Sequence, residues 1–237
     1  MTLAKYKEKR NFKVTPEPSG DASEKKAPDK HLLYVIQKHR ATQLHYDFRL
    51  EFEGVLLSWA VPKGPSLDPS VKRLAMQVED HPVDYGAFEG VIPEGEYGGG
   101  TVMVWDTGTW TPESPDIAEA LKKGDLKFQL HGKKLHGSWV LVRTHGYGSS
   151  SGKSWLLIKH RDEFASTEDI VATEPKSAAS KRLLADIARD DGGDVEKAAT
   201  GDPQGPTEKK TARPRVAKEA PAKTSTLRRK TKRTKQP

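Results

Sequence analysis

The chain has 237 residues, a formal net charge of +7 and no cysteine. Without cysteine, neither disulfide bonds nor cysteine-based zinc sites can form, and a reducing cytoplasm is the simplest expectation. No run of about 18 apolar residues occurs, and the charged first ten residues lack an apolar signal core, so the sequence indicates neither a membrane span nor a secretory signal.

The positive charge is concentrated towards the C-terminus. Residues 175–237 contain 17 Lys and Arg against 8 Asp and Glu, which gives this segment a net charge of +9 and leaves residues 1–174 at −2. Because the body is nearly neutral, any phosphate bound there must be held by a few placed cations. The C-terminal segment, in contrast, suits sequence-independent contact with nucleic-acid phosphates.

Three regions follow one another along the chain. Residues 1–30 are rich in Lys, Glu, Pro and Ser, which predicts a flexible, disordered N-terminal arm. Residues 31–166 alternate short apolar runs with Gly and Pro, which favours an all-β barrel or sandwich of antiparallel strands with minor helix. The predicted strands cover 32–39, 44–52, 55–61, 73–78, 101–105, 125–130, 137–142 and 155–158, and a short helix is predicted within 115–123. Residues 167–237 predict a low-complexity basic tail, mostly disordered apart from a brief helix at 180–190.

The second predicted strand carries the most informative pattern. Its apolar row consists of Leu44, Tyr46, Phe48, Leu50 and Phe52, and its polar row of His45, Asp47, Arg49 and Glu51. Residues two apart on a strand lie roughly 6.6 Å apart. His45 and Asp47 can therefore converge on one metal ion, with Arg49 one step further. A metal beside a guanidinium suits a phosphoryl group.

The preceding strand adds a second imidazole. Residues 40–43 are short and polar enough to turn the chain, so the two strands predict a hairpin in which His39 lies near His45, with Gln37 further along the same face. The candidate metal ligands are therefore His39, His45 and Asp47. Two imidazoles and a carboxylate suit Mn, Fe, Zn or Ni better than Mg or Ca. The alternative is a hairpin with ordinary surface polar residues.

Two further segments offer groups for the same site. Lys63 lies in a stiff loop at the end of a strand, where a lysine can hold a phosphate as a point charge. His81 and Tyr85 offer a proton donor and a phosphate-contacting hydroxyl. The glycine-rich run at 95–100 is not a P-loop, because no Gly-Lys-Ser/Thr follows it, and it predicts a turn between strands. The Lys-x-Asp-Gly motif of a DNA ligase is missing from the sequence.

Residues 31 to about 165 resemble the 3′-phosphoesterase domain of bacterial DNA ligase D and its free-standing homologues. The matching motifs are Gln-Lys-His-x-Ala-Thr-x-Leu-His-Tyr-Asp-Phe-Arg-Leu-Glu at 37–51, Trp-Ala-Val-Pro-Lys-Gly-Pro at 59–65, Glu-Asp-His-Pro-x-x-Tyr at 79–85, Gly-x-Ile-Pro-Glu-Gly-Glu-Tyr-Gly-Gly-Gly at 90–100 and Trp-Leu-Leu-Ile-Lys at 155–159. The resemblance implies a compact β-barrel and a Mn²⁺-dependent enzyme. Such an enzyme trims a terminal ribonucleotide from a DNA strand to a 3′-phosphate and then removes that phosphate to leave a 3′-hydroxyl.

The resemblance also implies roles for individual residues. It makes His39, His45 and Asp47 the metal ligands, and it places six groups around the scissile phosphate or the bound substrate: Arg49, Lys63, His81, Tyr85 and Gln37, with Arg10 from the arm. Glu17, also from the arm, carries over as a further substrate-binding residue. Asn11 departs from the family pattern, which has an aspartate there, and an amide cannot act as a base or hold a cation as a carboxylate can.

Two other functions remain open on the sequence. The His-x-Asp pattern with a separate histidine also occurs in non-haem Fe(II) oxygenases, although there the separate histidine usually follows the motif. A non-catalytic DNA-end-binding protein is the second alternative, if the three ligands do not meet in space. The expected partners are DNA 3′ ends, with a separate ligase, a polymerase and a Ku-type protein, in the cytoplasm near the nucleoid.

Overall fold

Ten β-strands dominate the regular structure of this computed structural model, which describes residues 2–21, 32–144 and 152–203. The strands are β1 (Leu32–Arg40), β2 (Leu44–Phe52), β3 (Val55–Val61), β4 (Arg73–Gln77), β5 (His81–Pro82), β6 (Gly90–Ile92), β7 (Gly100–Pro112), β8 (Asp125–Gly132), β9 (His136–Arg143) and β10 (Ser154–Lys159). The helices are α1 (Ala4–Glu8), α2 (Ile117–Lys123), α3 (Ile170–Thr173), α4 (Leu184–Asp190) and α5 (Val195–Ala199), and a 3-10 helix covers Val83–Ala87. The end of the predicted basic tail, from residue 204, lies outside the described residues.

The sheet closes into a barrel because β1 pairs with two neighbours. The antiparallel order is β1-β2-β3-β4-β10-β9-β8-β7, and β7 pairs in turn with β1. Eight strands thus form a ring, with β6 beside β7 and β5 beside β3. Closure satisfies backbone groups that an open sheet would leave at its edges. The prediction of an antiparallel β-barrel is confirmed, and the β1–β7 ladder decides between a barrel and a sandwich.

The barrel interior is filled by large apolar side chains. All five tryptophans of the chain are at most 2% exposed: Trp59, Trp105, Trp110, Trp139 and Trp155. The apolar row of β2 contributes Tyr46, Phe48 and Leu50 to the same core. Since side chains alternate along a strand, the polar row of β2 points to the outside of the barrel.

That outer face is nevertheless covered. A second apolar cluster consists of Tyr6, Val35, Leu56, Tyr85 and Val104. Its members come from α1, β1, β3, the 3-10 helix and β7, so that several segments of the chain meet on the outer surface. As a result Asp47 is 7% exposed and Arg49 is 2% exposed. The polar row of β2 is a buried polar layer and not the solvated face that alternation alone would give.

Residues 2–21, referred to below as the arm, pack against this layer. Helix α1 buries Tyr6 completely, and the Tyr6 hydroxyl donates to the carbonyl oxygen of Pro18 at 2.6 Å. The Tyr6 ring also packs on His81 and Tyr85, with ring centroids 5.0 and 5.9 Å away. The structure therefore differs from the predicted disordered arm over these residues. The polar composition of the arm gave no sign that Tyr6 would be buried, and burying such a side chain contributes about 1.5–3 kcal/mol to folding.

The region after β10 differs from the prediction in the same way. Ile170, Leu184 and Ile187 belong to the main core cluster, and Trp105 Nε1 donates to the carbonyl oxygen of Glu174 at 2.7 Å. Helix α4 corresponds to the brief helix predicted at 180–190. The packed part of the chain thus extends past the predicted boundary at residue 166 to residue 203. None of the helices within the described ranges has the length and apolar character needed to cross a lipid bilayer.

Candidate active site

The β1–β2 hairpin brings the three predicted metal ligands together. His39 on β1 pairs directly with His45 on β2, and Gln37 pairs with Asp47. Asp47 Oδ2 lies 3.6 Å from His39 Nδ1 and 3.6 Å from His45 Nε2. One ligand atom from each of these residues lies within 4.8 Å of the others. We refer to His39, His45 and Asp47 as the ligand triad.

Backbone carbonyl groups fix the imidazoles in the orientation that a metal requires. His39 Nε2 donates to the carbonyl oxygen of Gly98 at 2.8 Å, and His45 Nδ1 donates to that of Gln43 at 3.0 Å. Because a carbonyl oxygen only accepts, each of these nitrogens must carry the proton. The other nitrogen of each ring faces Asp47, where it can donate to the carboxylate when it is protonated and can hold a metal ion when it is not. Outer hydrogen bonds of this kind are usual for metal-ligating histidines.

The charge of Asp47 is stabilised by its neighbours. Burial by itself raises the pKa of this carboxyl, but the positive charge of Arg49 and hydrogen bonds from His39 and His45 outweigh burial and hold the pKa well below its usual value. Burial lowers the pKa of His45, whereas its contact with Asp47 raises it, and the net direction is upwards. The triad therefore offers an ionised carboxylate and two nitrogen donors, which suit a divalent transition metal.

Arg49 is held rigidly beside the triad. Its Nε donates to Gln37 Oε1 and its Nη1 donates to Ser58 Oγ, both at 2.8 Å, while Nη2 lies 3.3 Å from Asp47 Oδ2. The Gln37 amide nitrogen Nε2 is hydrogen-bonded to the backbone, since it donates to the carbonyl oxygens of Tyr85 and Phe88 at 2.9 Å. Gln37 is fully buried and does not line the cleft. Gln37 thus contacts Arg49 and the backbone, and its predicted contact with the substrate stays a prediction.

His81 lies between the two arginines of the site. Its Nδ1 is 2.9 Å from the carbonyl oxygen of Glu79 and 3.0 Å from Arg49 Nη1, and its Nε2 is 3.2 Å from Arg10 Nη2. Burial lowers the pKa of His81 well below its usual value, and the charges of Arg49 and Arg10 lower it further. The imidazole is therefore neutral, and its two ring nitrogens lie within hydrogen-bonding distance of one carbonyl oxygen and two guanidinium groups.

The arm completes the site through a buried carboxylate. Glu17 accepts from Arg10 Nε at 2.9 Å, from Thr15 Oγ1 at 2.8 Å and from the Tyr85 hydroxyl at 2.9 Å. With three donors and no exposed side-chain surface, Glu17 holds Arg10 and Tyr85 in place and does not itself face a ligand. Asn11, the residue that departs from the family pattern, is exposed, and its Oδ1 accepts from the Lys13 amide at 3.3 Å within its own turn.

The ligand triad, the two arginines and His81 line a cleft of about 260 Å³. Its walls are formed by Arg10, His39, Ala41, His45, Asp47, Arg49, Ala60, Val78, Glu79, His81, Tyr85, Ile92, Tyr97 and Gly98. Lys63, which was predicted to join the site, is exposed in the turn after β3 and does not line the cleft. The prediction of its role remains untested by this geometry.

Sequence reasoning missed two residues at the mouth of the cleft. Glu79 forms ion pairs with Lys9 Nζ at 3.0 Å and with Arg10 Nη1 at 3.4 Å, which joins the arm to the barrel. Tyr97, in the loop between β6 and β7, receives a hydrogen bond from Lys9 Nζ at 3.1 Å. Both residues stand inside the matching motifs at 79–85 and 90–100, so the motifs themselves marked them, although strand alternation did not.

A closed β-barrel with two imidazoles, a carboxylate and two buried arginines around one cleft defines a protein with a candidate metal centre for an anionic, phosphate-like ligand. Comparison with known families agrees with this class. The sequence profile of the DNA ligase D 3′-phosphoesterase domain matches residues 37–143, and this part of the chain belongs to that domain family.

Three relatives show how much of a larger protein the match covers. The multifunctional non-homologous end joining protein LigD of Pseudomonas aeruginosa is 54% identical over 185 residues, which is 77% of this chain and 22% of that protein. The corresponding DNA repair protein of Mycobacterium tuberculosis is 44% identical over 144 residues, or 61% of this chain and 18% of that protein. LigD of Mycolicibacterium smegmatis is 39% identical over 188 residues, or 76% and 24%. The chain thus spans about a fifth of the length of these relatives.

Proposed function

We propose that this chain is a metal-dependent DNA 3′-end phosphoesterase, which removes 3′-terminal ribonucleotides and 3′-phosphates and leaves a 3′-hydroxyl. The observation that carries the proposal is the placement of Arg49 and His81 directly beside the ligand triad. The triad supplies donors for a cation, and the neighbouring arginines supply donors for the phosphate oxygens. Membership of the 3′-phosphoesterase domain family supports the same reaction class.

The bound cation would be Mn²⁺ in this proposal. The donor set fits, because imidazole nitrogens mixed with a carboxylate oxygen favour a transition metal over Mg²⁺ or Ca²⁺. When bound by His39, His45 and Asp47, a divalent cation supplies Lewis acidity to a phosphoryl oxygen. The hydrogen bonds to the carbonyl oxygens of Gly98 and Gln43 already orient the two imidazoles, which keeps the cost of organising these ligands small.

The protein's own residues account for the rest of the reaction. Arg49 and Arg10 donate hydrogen bonds to the non-bridging oxygens, which gain charge in the transition state. Hydrolysis forms a bond from phosphorus to the oxygen of water, which gives up a proton to the solvent, and breaks the bond to the ester oxygen, which takes up a proton as it leaves. His81 is placed to deliver that proton. Burial and the charges of the two arginines lower the pKa of His81, and an anionic phosphate beside the ring opposes both effects and favours the protonated form that can donate.

Arg49 has no freedom to adapt its position, because Gln37, Ser58 and Asp47 hold all three of its nitrogens. Arg10 depends on the arm for its position, through Glu17 and Glu79. Phosphate binding in this proposal therefore combines one arginine fixed by the barrel with one delivered by the arm. Such preorganised donors avoid the reorganisation that water would undergo around the same charge.

The biological setting is part of the proposal. The relatives are named as non-homologous end joining proteins, and a 3′-hydroxyl is the end that a polymerase or ligase can use. We infer that the chain acts on DNA 3′ ends at breaks or primer–template junctions, together with ligase, polymerase and Ku-type end-binding functions. The two buried arginines suit a phosphate ligand, and an Fe(II) oxygenase would not need them.

One gel assay tests the proposed reaction. Primer–templates ending in a 3′-ribonucleotide or a 3′-phosphate are incubated with the protein and Mn²⁺, Mg²⁺ or EDTA, with the Asp47→Ala variant beside the wild type. We expect the wild type to convert these ends to a 3′-hydroxyl with Mn²⁺. We expect no conversion with EDTA, and none by the Asp47→Ala variant. His131→Ala is the matched control, since His131 is an exposed histidine of β8 outside the cleft. Binding of DNA ends without turnover under every divalent cation would instead support the non-catalytic alternative.

A further inference from the structure

Tyr97 stands exposed at the mouth of the cleft. It is 48% exposed, which is unusual for a large aromatic side chain, and it lines the same cleft as the ligand triad. The next residue, Gly98, accepts the hydrogen bond that orients His39. A single loop between β6 and β7 therefore both orients a metal ligand and presents an aromatic ring at the entrance.

The arm holds this ring in place. Lys9 Nζ donates to the Tyr97 hydroxyl at 3.1 Å, stands 4.3 Å from the centre of its ring and pairs with Glu79 at 3.0 Å. The guanidinium carbon of Arg10 lies 5.6 Å from the same ring centre. Arg10 also reaches His81. The ring is thus next to the group that would hold the phosphate, at the open side of the cleft.

A nucleotide bound in the cleft has a base as well as a phosphate, and the charged walls of the cleft are complementary to the phosphate alone. This argument rests on that function, in which a nucleotide enters with its phosphate at Arg49 and His81. The attached nucleoside carries a flat base, which has little to gain from guanidinium and carboxylate groups. Among the cleft-lining rings of the described residues, His39 and His45 belong to the triad, while Tyr85 and His81 are 2% and 4% exposed. Tyr97 is the ring that an incoming base can reach.

We propose that Tyr97 is a specificity-determining residue that stacks on the base of the nucleoside carrying the scissile phosphate. Every base has a π-face, so stacking holds a nucleotide without selecting a sequence, as processing of arbitrary DNA ends requires. The substrate class of the cleft is therefore the 3′ end of a nucleic-acid strand and not phosphate esters in general. Lys9 is a positioning residue that keeps the ring at the entrance.

A binding cycle tests this assignment independently of turnover. Primer–templates with a 3′-phosphate carry either a normal terminal nucleotide or the same residue without its base, and their affinities are measured by fluorescence anisotropy in EDTA. The wild type is expected to prefer the base-bearing end by about 5- to 150-fold, the range typical of one stacked base. In Tyr97→Ala this preference should fall to about one, whereas Tyr97→Trp should keep it. Phe164→Ala, which removes another exposed aromatic ring outside the cleft, should behave as the wild type.

The outcomes separate this inference from the proposed function. If the wild type shows no preference for the base, or if Tyr97→Ala weakens both ends equally and leaves the preference intact, Tyr97 does not stack on the base. Failure of the wild type to process either end with any divalent cation would refute the proposed function, yet the ratio of affinities would still report on stacking. The two claims thus fail by different measurements.

Discussion

Removing Asp47 and removing His45 should have equal effects on metal binding but unequal effects on the stability of the metal-free protein. Each substitution deletes one member of the ligand triad. They differ in what they leave behind. Asp47→Ala leaves Arg49 without its counter-charge in a site where the Arg49 side chain is 3% exposed, whereas His45→Ala removes a side chain that is 22% exposed.

The structure sets the expected magnitudes. Removing one partner of a buried ion pair costs about 3–5 kcal/mol, because the remaining charge stays desolvated. Arg49 keeps its hydrogen bonds to Gln37 and Ser58, so we expect the lower end, about 3 kcal/mol, for Asp47→Ala. His45→Ala loses a partly exposed hydrogen bond to a carbonyl group and its contact with Asp47, and each interaction is worth about 1 kcal/mol. The difference between the variants should therefore be about 1 kcal/mol.

Denaturant unfolding in EDTA measures this difference. The five buried tryptophans provide a fluorescence signal from the core, and the free energy of unfolding is compared at equal slope. A saturating metal at about 100 times its dissociation constant should stabilise the wild type by about 2.7 kcal/mol and neither variant. Equal stabilities of Asp47→Ala and His45→Ala in EDTA would refute the argument that Asp47 neutralises Arg49.

Three further predictions follow from the same contacts. The pKa of Asp47 is lower in the folded protein than in the unfolded chain, so its stabilising contribution is present above about pH 4 and is lost as the pH falls below that value. The difference in unfolding free energy between the wild type and Asp47→Ala should therefore shrink on acidification. A difference that grows would contradict the lowered pKa. His81→Ala should lose about 10²–10⁴-fold in rate while retaining bound metal, and a parallel loss of metal by elemental analysis would make His81 a ligand instead. Removing residues 204–237 should leave thermal stability and turnover at saturating substrate unchanged, but should reduce the slope of log affinity for duplex DNA against log salt by about 0.9 per lost phosphate contact. Removing residues 175–237 should instead unfold the protein, because Leu184 and Ile187 are part of the core. Identical salt slopes for the full chain and the chain without residues 204–237 would exclude the tail as a DNA-binding element.

The sequence by itself determined the local parts of the site. Strict alternation on β2 separated Tyr46, Phe48 and Leu50 from His45 and Asp47, because side chains of a strand point to opposite faces in turn. The short polar turn fixed the register of the hairpin, so His39 had to meet His45. These features depend on neighbours within about ten residues, and local rules are sufficient for them.

Only the tertiary structure decided the surroundings of that hairpin. Barrel closure needs the β1–β7 ladder, and no pattern within a single segment specifies a pairing over such a distance. The burial of the polar row depends on where the arm packs, and so do the pKa values of Asp47 and His81. The buried ring of Tyr6, which packs on His81, is part of that contact.

The roles of single residues followed from the same docking. The side chains of Gln37 and Glu17 do not line the cleft, because the fold supplies buried partners for their polar atoms. Composition described residues 2–21 and 167–203 as polar and irregular, yet a few apolar side chains in each pack against the barrel. Composition averages over a segment, whereas packing depends on which individual side chains meet a complementary surface.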